Sequence, residues 1–303
     1  MKSQPITHLQ VLGVRYSDSR FAENDERCVD AYAQSNVYAS ANVPFTVVEP
    51  EMPEDQRIPG TTPAANTDNI GLLGGEIANA VASARAEGRA VLMTGGNCSH
   101  ITGMFGGLQD AHGPTVRVGL VWFDAHGDFN TPKTTLSGML GGMPVAVCAG
   151  LAYPRWREYS HMVTPLPTDR IIMVDVRNLD EPEAQLINAT DVVIVPTTGS
   201  QDGNDLATAV NDLADRCDLI YLHIDSDILD ESLVPNHGTR EPDGPDMAQV
   251  QAAIDTVMAT GKVGVAAVVS VYGGGDGREI SVGSGIELVR GCLAGWLKYG
   301  GVW

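Results

Sequence analysis

The sequence predicts an α/β fold, a parallel β-sheet covered by helices on both faces. Two observations lead there: short β-rich runs alternate with segments of helical spacing over the whole length, and three of those runs stop at polar clusters, where open parallel sheets carry their ligand sites. A third sets the scale. The chain has 303 residues, 43% of them hydrophobic, and no long polar linker, so a single domain over 1–303 with one large core is expected.

In order, the strand runs are "ITHLQVLGV" (6–14), "NVPFTVVE" (42–49), "RAVLMTGG" (89–96), "VRVGLVWFD" (116–124), "RIIMVDV" (170–176), "DVVIVP" (191–196), "LIYLHIDSD" (219–227) and "VGVAAVVSVY" (263–272). Helical spacing is read between them at 70–87, in "GGMPVAVCAGLA" after Gly141, at 204–216, at 247–260 and in the C-terminal "GIELVRGCLAGWLKYG". The segment 51–68, "EMPEDQRIPGTTPAANTD", reads as the most loop-like stretch. No internal repeat or low-complexity tract is found.

The formal net charge of -19 argues against nucleic acid or an anionic membrane as partner, since both need clustered Lys and Arg. No run approaches the length of a membrane span, and the N-terminus lacks the pattern of a signal peptide. A soluble cytoplasmic protein with a small-molecule substrate is expected. The five cysteines, Cys28, Cys98, Cys148, Cys217 and Cys292, form no C-x-x-C pair and read as reduced thiols.

The polar endings are "TGGNCSH", "DAHGD" and "DSD". In an extended segment Asp124, His126 and Asp128 would project to one side. Together the three endings offer Asp124, Asp128, Asp225 and Asp227, with His126 and Cys98. Four carboxylates and an imidazole exceed the needs of one hard divalent ion but suit two ions sharing bridging carboxylates. No cluster of Lys or Arg adjoins these motifs to make a buried ion network of them instead.

"WFDAHGDFNTP" and "HIDSDILDESLVPNHGT" resemble the two signature blocks of the ureohydrolase superfamily, which contains arginase, agmatinase and formimidoylglutamase. The resemblance runs from the N-terminal strand to about residue 287. It implies a three-layer α/β/α, arginase-like fold with a central parallel eight-stranded sheet, a binuclear manganese centre and hydrolysis at a guanidinium-type carbon. Trimers and hexamers are common in that superfamily, so a homo-oligomer is expected. By position, Asp124 and Asp225 would bridge the ions, Asp128 would complete one site with a residue of the "GGNCS" turn, and His126 with Asp227 would complete the other.

Departures from the family pattern bear on metal and substrate. Where the glycine turn usually reads G-G-D-H-S, with the His a ligand, this chain has Cys98; a thiolate donor brings Zn(II) or Fe(II) into consideration beside Mn(II). His100 is the alternative ligand. Asn130, Ser137 and Asp180 match positions that hold an amino-acid-like substrate, but Met139 replaces a carboxylate-binding Asn and Gly141 replaces a proton-shuttling His. Ser270 stands where a Glu clamps the guanidinium, so plain arginine is not the expected substrate. His237, on a loop expected to face the metals, is a candidate acid or base, taken with Asp128 as the catalytic pair. His223 is a candidate partner for a metal carboxylate. Glu241 and Asp276 are candidate counter-charges for a cationic substrate.

The leading expectation is a binuclear-metal amidinohydrolase acting on a modified or non-arginine guanidino compound such as hydroxyarginine, releasing urea or hydroxyurea. The alternatives are a formimino or amide hydrolase of the same fold, and a non-catalytic metal-binding scaffold.

Overall fold

The computed structural model describes residues 2–201 and 203–303. Its strands in chain order are β1 (Leu9–Val14), β2 (Tyr16–Ser17), β3 (Arg20–Phe21), β4 (Phe45–Val48), β5 (Ala90–Gly95), β6 (Val118–Phe123), β7 (Ile171–Val174), β8 (Val193–Val195), β9 (Leu219–Asp225) and β10 (Val263–Val269). Its α-helices are α1 (Val29–Gln34), α2 (Pro63–Ala86), α3 (Ile101–His112), α4 (Pro144–Cys148), α5 (Pro154–Tyr159), α6 (Glu181–Asn188), α7 (Leu206–Arg216), α8 (Met247–Met258) and α9 (Arg278–Tyr299).

Eight strands form one sheet in the order β4-β1-β5-β10-β9-β6-β7-β8, and every pairing in it is parallel. Each run expected as a strand supplies one of these eight. β2 and β3 pair separately as a short antiparallel hairpin. Alternation along each strand divides the core into two layers. On one face, Leu120, Trp122, Tyr221 and Met93 pack against Leu73, Ile77 and Phe105 of α2 and α3; on the other, Val121, Ile224 and Leu222 pack against Leu213, Ile254 and Leu288 of α7, α8 and α9. The result is the expected three-layer α/β/α fold.

The chain builds β1, β4 and β5, crosses to build β6, β7 and β8, and returns with β9 and β10 to fill the gap between β5 and β6. All three polar endings therefore open from central strands, β9 and β6 side by side and β5 one strand away across β10, at a switch point in strand order.

Several helices differ from expectation. α2 begins at Pro63, inside the segment read as loop, because Thr62 caps it by accepting from Ala65 N–H at 3.2 Å and Pro63 suits the first helical position. α9 starts at Arg278, after the left-handed Gly277, so the glycine-rich stretch ends earlier than its composition suggests. α3 was not anticipated: Gly103, Gly106 and Gly107 lower its helix propensity. Those glycines serve packing, since a Cβ at Gly106 would sit 1.7 Å from the Ser160 carbonyl oxygen and one at Gly103 2.5 Å from that of Gly74. The short helices α1, α5 and α6 also went unread.

Candidate metal centre

The "GGNCS" turn begins where β5 stops. Gly95 and Gly96 both take left-handed φ, 76° and 64°, and a Cβ at Gly95 would lie 2.6 Å from the Val14 carbonyl oxygen, so only glycine fits. The turn delivers Cys98 into a buried position, where its Sγ–H donates to Asp225 Oδ2 at 2.9 Å and lies 3.6 Å from Asp124 Oδ2.

His100, two residues on, does not reach the centre. Its Nδ1 accepts from Asn97 N–H at 3.2 Å and its Nε2 bonds the Asp18 carbonyl at 2.8 Å, so both ring nitrogens serve the backbone. The alternative that made His100 a ligand is therefore set aside on geometry.

After β6 the chain does not continue extended, contrary to the alternation argument. β6 ends at Phe123, and Asp128 adopts φ 46° while its carbonyl accepts from Val145 N–H at 3.0 Å. Asp124, His126 and Asp128 still line one cleft, but from a folded turn. Asp124 Oδ1 accepts from His126 N–H at 2.7 Å; the His126 ring places Nδ1 3.3 Å from Asp124 Oδ1 and 3.2 Å from Asp227 Oδ2.

Asp225 is the last residue of β9, and its Oδ1 accepts from Asp227 N–H at 3.0 Å. Ala125 N–H donates to Asp227 Oδ1 at 3.2 Å, linking the two motifs across the sheet. His237 is buried above them, with Nε2 3.4 Å from Asp225 Oδ1 and Nδ1 accepting from Thr239 N–H at 3.2 Å. Its ring stands edge-on to Tyr272, centroids 5.0 Å apart.

Three overlapping sets emerge, each with ligand atoms within 4.8 Å of one another: Cys98, Asp124 and Asp225; Asp124, His126 and Asp227; Asp225, Asp227 and His237. They form the floor of a cleft of about 500 Å³, which Asp128, Asn130, Ser137 and Asp180 also line.

Comparison with known proteins gives the family. The profile of the Arginase family matches residues 15–295. The chain belongs to the arginase family. It is 30% identical over 205 residues to the arginase of Entamoeba histolytica, 66% of each chain, and 34% identical over 146 residues to the N(omega)-hydroxy-L-arginine amidinohydrolase of Streptomyces lavendulae, 48% of this chain and 49% of that one. The matched stretches thus span about half to two thirds of these curated relatives. The crystal structure of the Entamoeba histolytica arginase superposes with a TM-score of 0.82 at 20% identity, covering 95% of this chain and 99% of that one, which is a likeness of fold.

In this arginase-family cleft the donor set has, among the described residues, no counter-charge beyond its histidines. No Lys or Arg lines it, and the ion pairs of Asp124, Asp225 and Asp227 among the described residues are all with His126 or His237. Burial first, then the neighbouring carboxylates, push the Asp124 and Asp128 carboxyls and the Cys98 thiol well above their usual ranges. Burial also opposes ionisation of Asp225, but the hydrogen bond and charge of His237, with Cys98 and Ser270, outweigh it and hold that carboxyl low. Burial works against protonated His126 too, yet Asp124 and Asp227 raise it to about 12. A divalent cation is what such a donor set fits.

Three expected residues lie elsewhere. Glu241 does not line the cleft: its Oε1 is engaged by His126 Nε2 at 3.3 Å and Asn178 Nδ2 at 2.5 Å, so it is not a free substrate contact. His223 stacks on Trp122 at 4.2 Å and pairs Nδ1 with the Tyr221 hydroxyl at 2.8 Å, while its buried Nε2 has no hydrogen-bond partner, so it makes no hydrogen bond to the Asp225 carboxylate. Asp276 is likewise outside the cleft.

Sequence reasoning missed Glu183, Asn178, Thr239 and Tyr272, which also line the cleft. Glu183 is buried with its Oε1 accepting from Phe129 N–H at 2.8 Å. One signal was available: it lies in the first turn of α6, three residues after Asp180, which stands at the N-terminal boundary of that helix.

Proposed function

We propose that this protein hydrolyses a C–N bond of a linear amidine, acting on a guanidino compound other than plain arginine. A hydroxyguanidine such as hydroxyarginine is the leading substrate, and urea or hydroxyurea the product. The observation that carries the reading is the convergence of four carboxylates, a thiol and two imidazoles in a cleft with no Lys or Arg to neutralise them.

Asp124 and Asp225 would bridge two divalent ions, the roles the family resemblance gives them; each belongs to two of the three ligand sets, as Asp227 does too. Cys98 with Asp128 would complete one site and His126 with Asp227 the other. Mn(II) is the family's usual ion; the soft Cys98 donor favours Zn(II) or Fe(II) on its side. When bound, the ion pair would supply Lewis acidity and an acidified water for hydrolysis of the C–N bond.

The chain's own residues do the rest. His237, with Nε2 over Asp225, is placed to deliver a proton to the leaving nitrogen in the role that Gly141 leaves vacant. Asp128, which lines the cleft, would orient a water there by accepting its hydrogen bond. Asn130 and Ser137 bind a carboxylate at the outer end of the substrate, and Asp180 with Glu183 holds an ammonium.

Ser270 supports both the choice of substrate and one second reading. It lies in the cleft with φ 59° and offers no carboxylate for bidentate binding, so a formimino or amide substrate, which needs no such clamp, also fits.

The test is metal content by plasma mass spectrometry of protein purified without chelator, beside product release from guanidino, hydroxyguanidino and formimino compounds. Two ions per chain with urea or hydroxyurea released from a hydroxyguanidine is the expected result. Formamide or ammonia without urea transfers the proposal to the second reading, and a chain that takes up no metal after reconstitution is a scaffold.

A further inference from the structure

Glu241 is the residue whose placement departs furthest from its expected use. It sits on the loop that also carries His237 and Thr239, and its carboxylate meets the face of His126 opposite the acid cluster. Oε1 lies 3.3 Å from His126 Nε2, while Nδ1 on the other side of the ring faces Asp124 and Asp227 at 3.3 and 3.2 Å.

A neutral imidazole carries one proton and one lone pair. Without metal Nδ1 carries a proton towards Asp124 and Asp227; a bound ion would take that proton's place, and an acceptor fixed at Nε2 keeps the remaining proton there and leaves the Nδ1 lone pair to the ion. Asn178 holds that acceptor in place, its Nδ2 donating to the same Oε1 at 2.5 Å. Its own backbone is anchored beside His126, with N–H on the Ala125 carbonyl at 3.0 Å.

The loop itself is tied to the metal turn by one guanidinium. Arg177 Nη2 donates to the carbonyls of Asp227, Leu229 and Glu241 at 3.0, 3.3 and 3.3 Å, Nη1 to that of Ile228 at 3.1 Å, and Nε to that of Pro242 at 3.2 Å. The turn that bears Asp227 and the segment that bears Glu241 are therefore pinned to a common point. The distance from Glu241 to His126 is set by backbone rather than by a free surface side chain.

We infer that Glu241 is a positioning residue for the second ion: it fixes His126 with Nδ1 free, and Asn178 and Arg177 hold it there. The inference rests on the binuclear reading above. Its side chain is 24% exposed, so a solvated bystander is the competing role; a bystander would leave metal affinity alone.

The experiment titrates demetallated protein with Mn(II) by calorimetry and reads the coupled pair by electron paramagnetic resonance. The parent should bind two ions, and Glu241→Ala should bind the second about 10–100-fold more weakly. Glu241→Gln, whose amide oxygen still accepts from Nε2–H, should stay near the parent, with apo melting temperatures alike in all three proteins. Parent-like binding of both ions by Glu241→Ala overturns the inference, as does equal loss of the second ion in Glu241→Gln. A parent that binds no ion overturns the binuclear reading itself.

Discussion

β6 and β9 lie side by side, and the chain puts acids at both ends of the pair. At the amino ends Arg117 precedes β6 and Asp218 precedes β9, and the two close an ion pair, Nη2 to Oδ1 at 2.6 Å and Nε to Oδ2 at 3.2 Å. At the carboxyl ends Asp124, Asp128, Asp225 and Asp227 face one another with histidines but no Lys or Arg. The Arg117 hydrogen bond holds the Asp218 carboxyl down at about 2, whereas burial and mutual repulsion push those of Asp124 and Asp128 up. An acid that serves only the fold arrives with its counter-charge encoded in the chain. The acids of the cleft have only histidines among the described residues, and on the proposed reading metal ions from solution supply the rest.

The sharpest way to break this contrast is to remove a shared ligand. Asp225→Ala or Asp124→Ala should lose both ions, and with them the stabilisation that bound metal confers, about 4 kcal/mol at a thousandfold excess over Kd. Melting curves recorded with and without Mn(II) read it directly: the parent's curve shifts with metal and the variant's does not. Unchanged metal content in either variant would sink the bridging assignment.

A smaller effect separates two residues of one turn. Cys98→Ala should cost one ion of the two, and Cys98→His should restore it while moving metal preference from zinc or iron towards manganese, as measured by competition between the metals. His100→Ala should do the reverse, keeping both ions but lowering stability by about 1–3 kcal/mol as Asn97 N–H and the Asp18 carbonyl lose their buried partner. If His100→Ala released an ion, the division of labour drawn from the geometry would be wrong.

That division shows where the sequence was legible. The eight strands were readable because each is a short apolar run bounded by breakers, and the three polar endings because carboxylates at the close of such runs are out of place. Cys98 against His100 was not decidable from spacing, since the choice depends on a turn geometry set by two left-handed glycines and on the carbonyl of Asp18, far away in sequence. Glu241 was misread for the same reason. A carboxylate on a loop looks the same in sequence whether it faces substrate or the back of a histidine, and Arg177, which decides it, binds only backbone carbonyls. α3 was hidden because its glycines, chosen for close packing, imitate a loop.

The smallest effect belongs to the paired end of the strands. Asp218→Asn removes a carboxylate whose folded pKa lies below its unfolded value, so the stability it contributes is fully present above the unfolded value near 3.8 and is lost as pH falls towards about 2. At neutral pH the variant should melt slightly below the parent, by an amount that shrinks in high salt because the pair is largely exposed. Below about pH 2 the two proteins should converge. Metal content and activity should be untouched throughout, and this is what ties the result to the comparison: an acid balanced by Arg117 can be neutralised without consequence for the cleft. Loss of metal from Asp218→Asn would mean that charge at the amino ends of β6 and β9 is felt at their carboxyl ends, and the two ends could no longer be treated as independent.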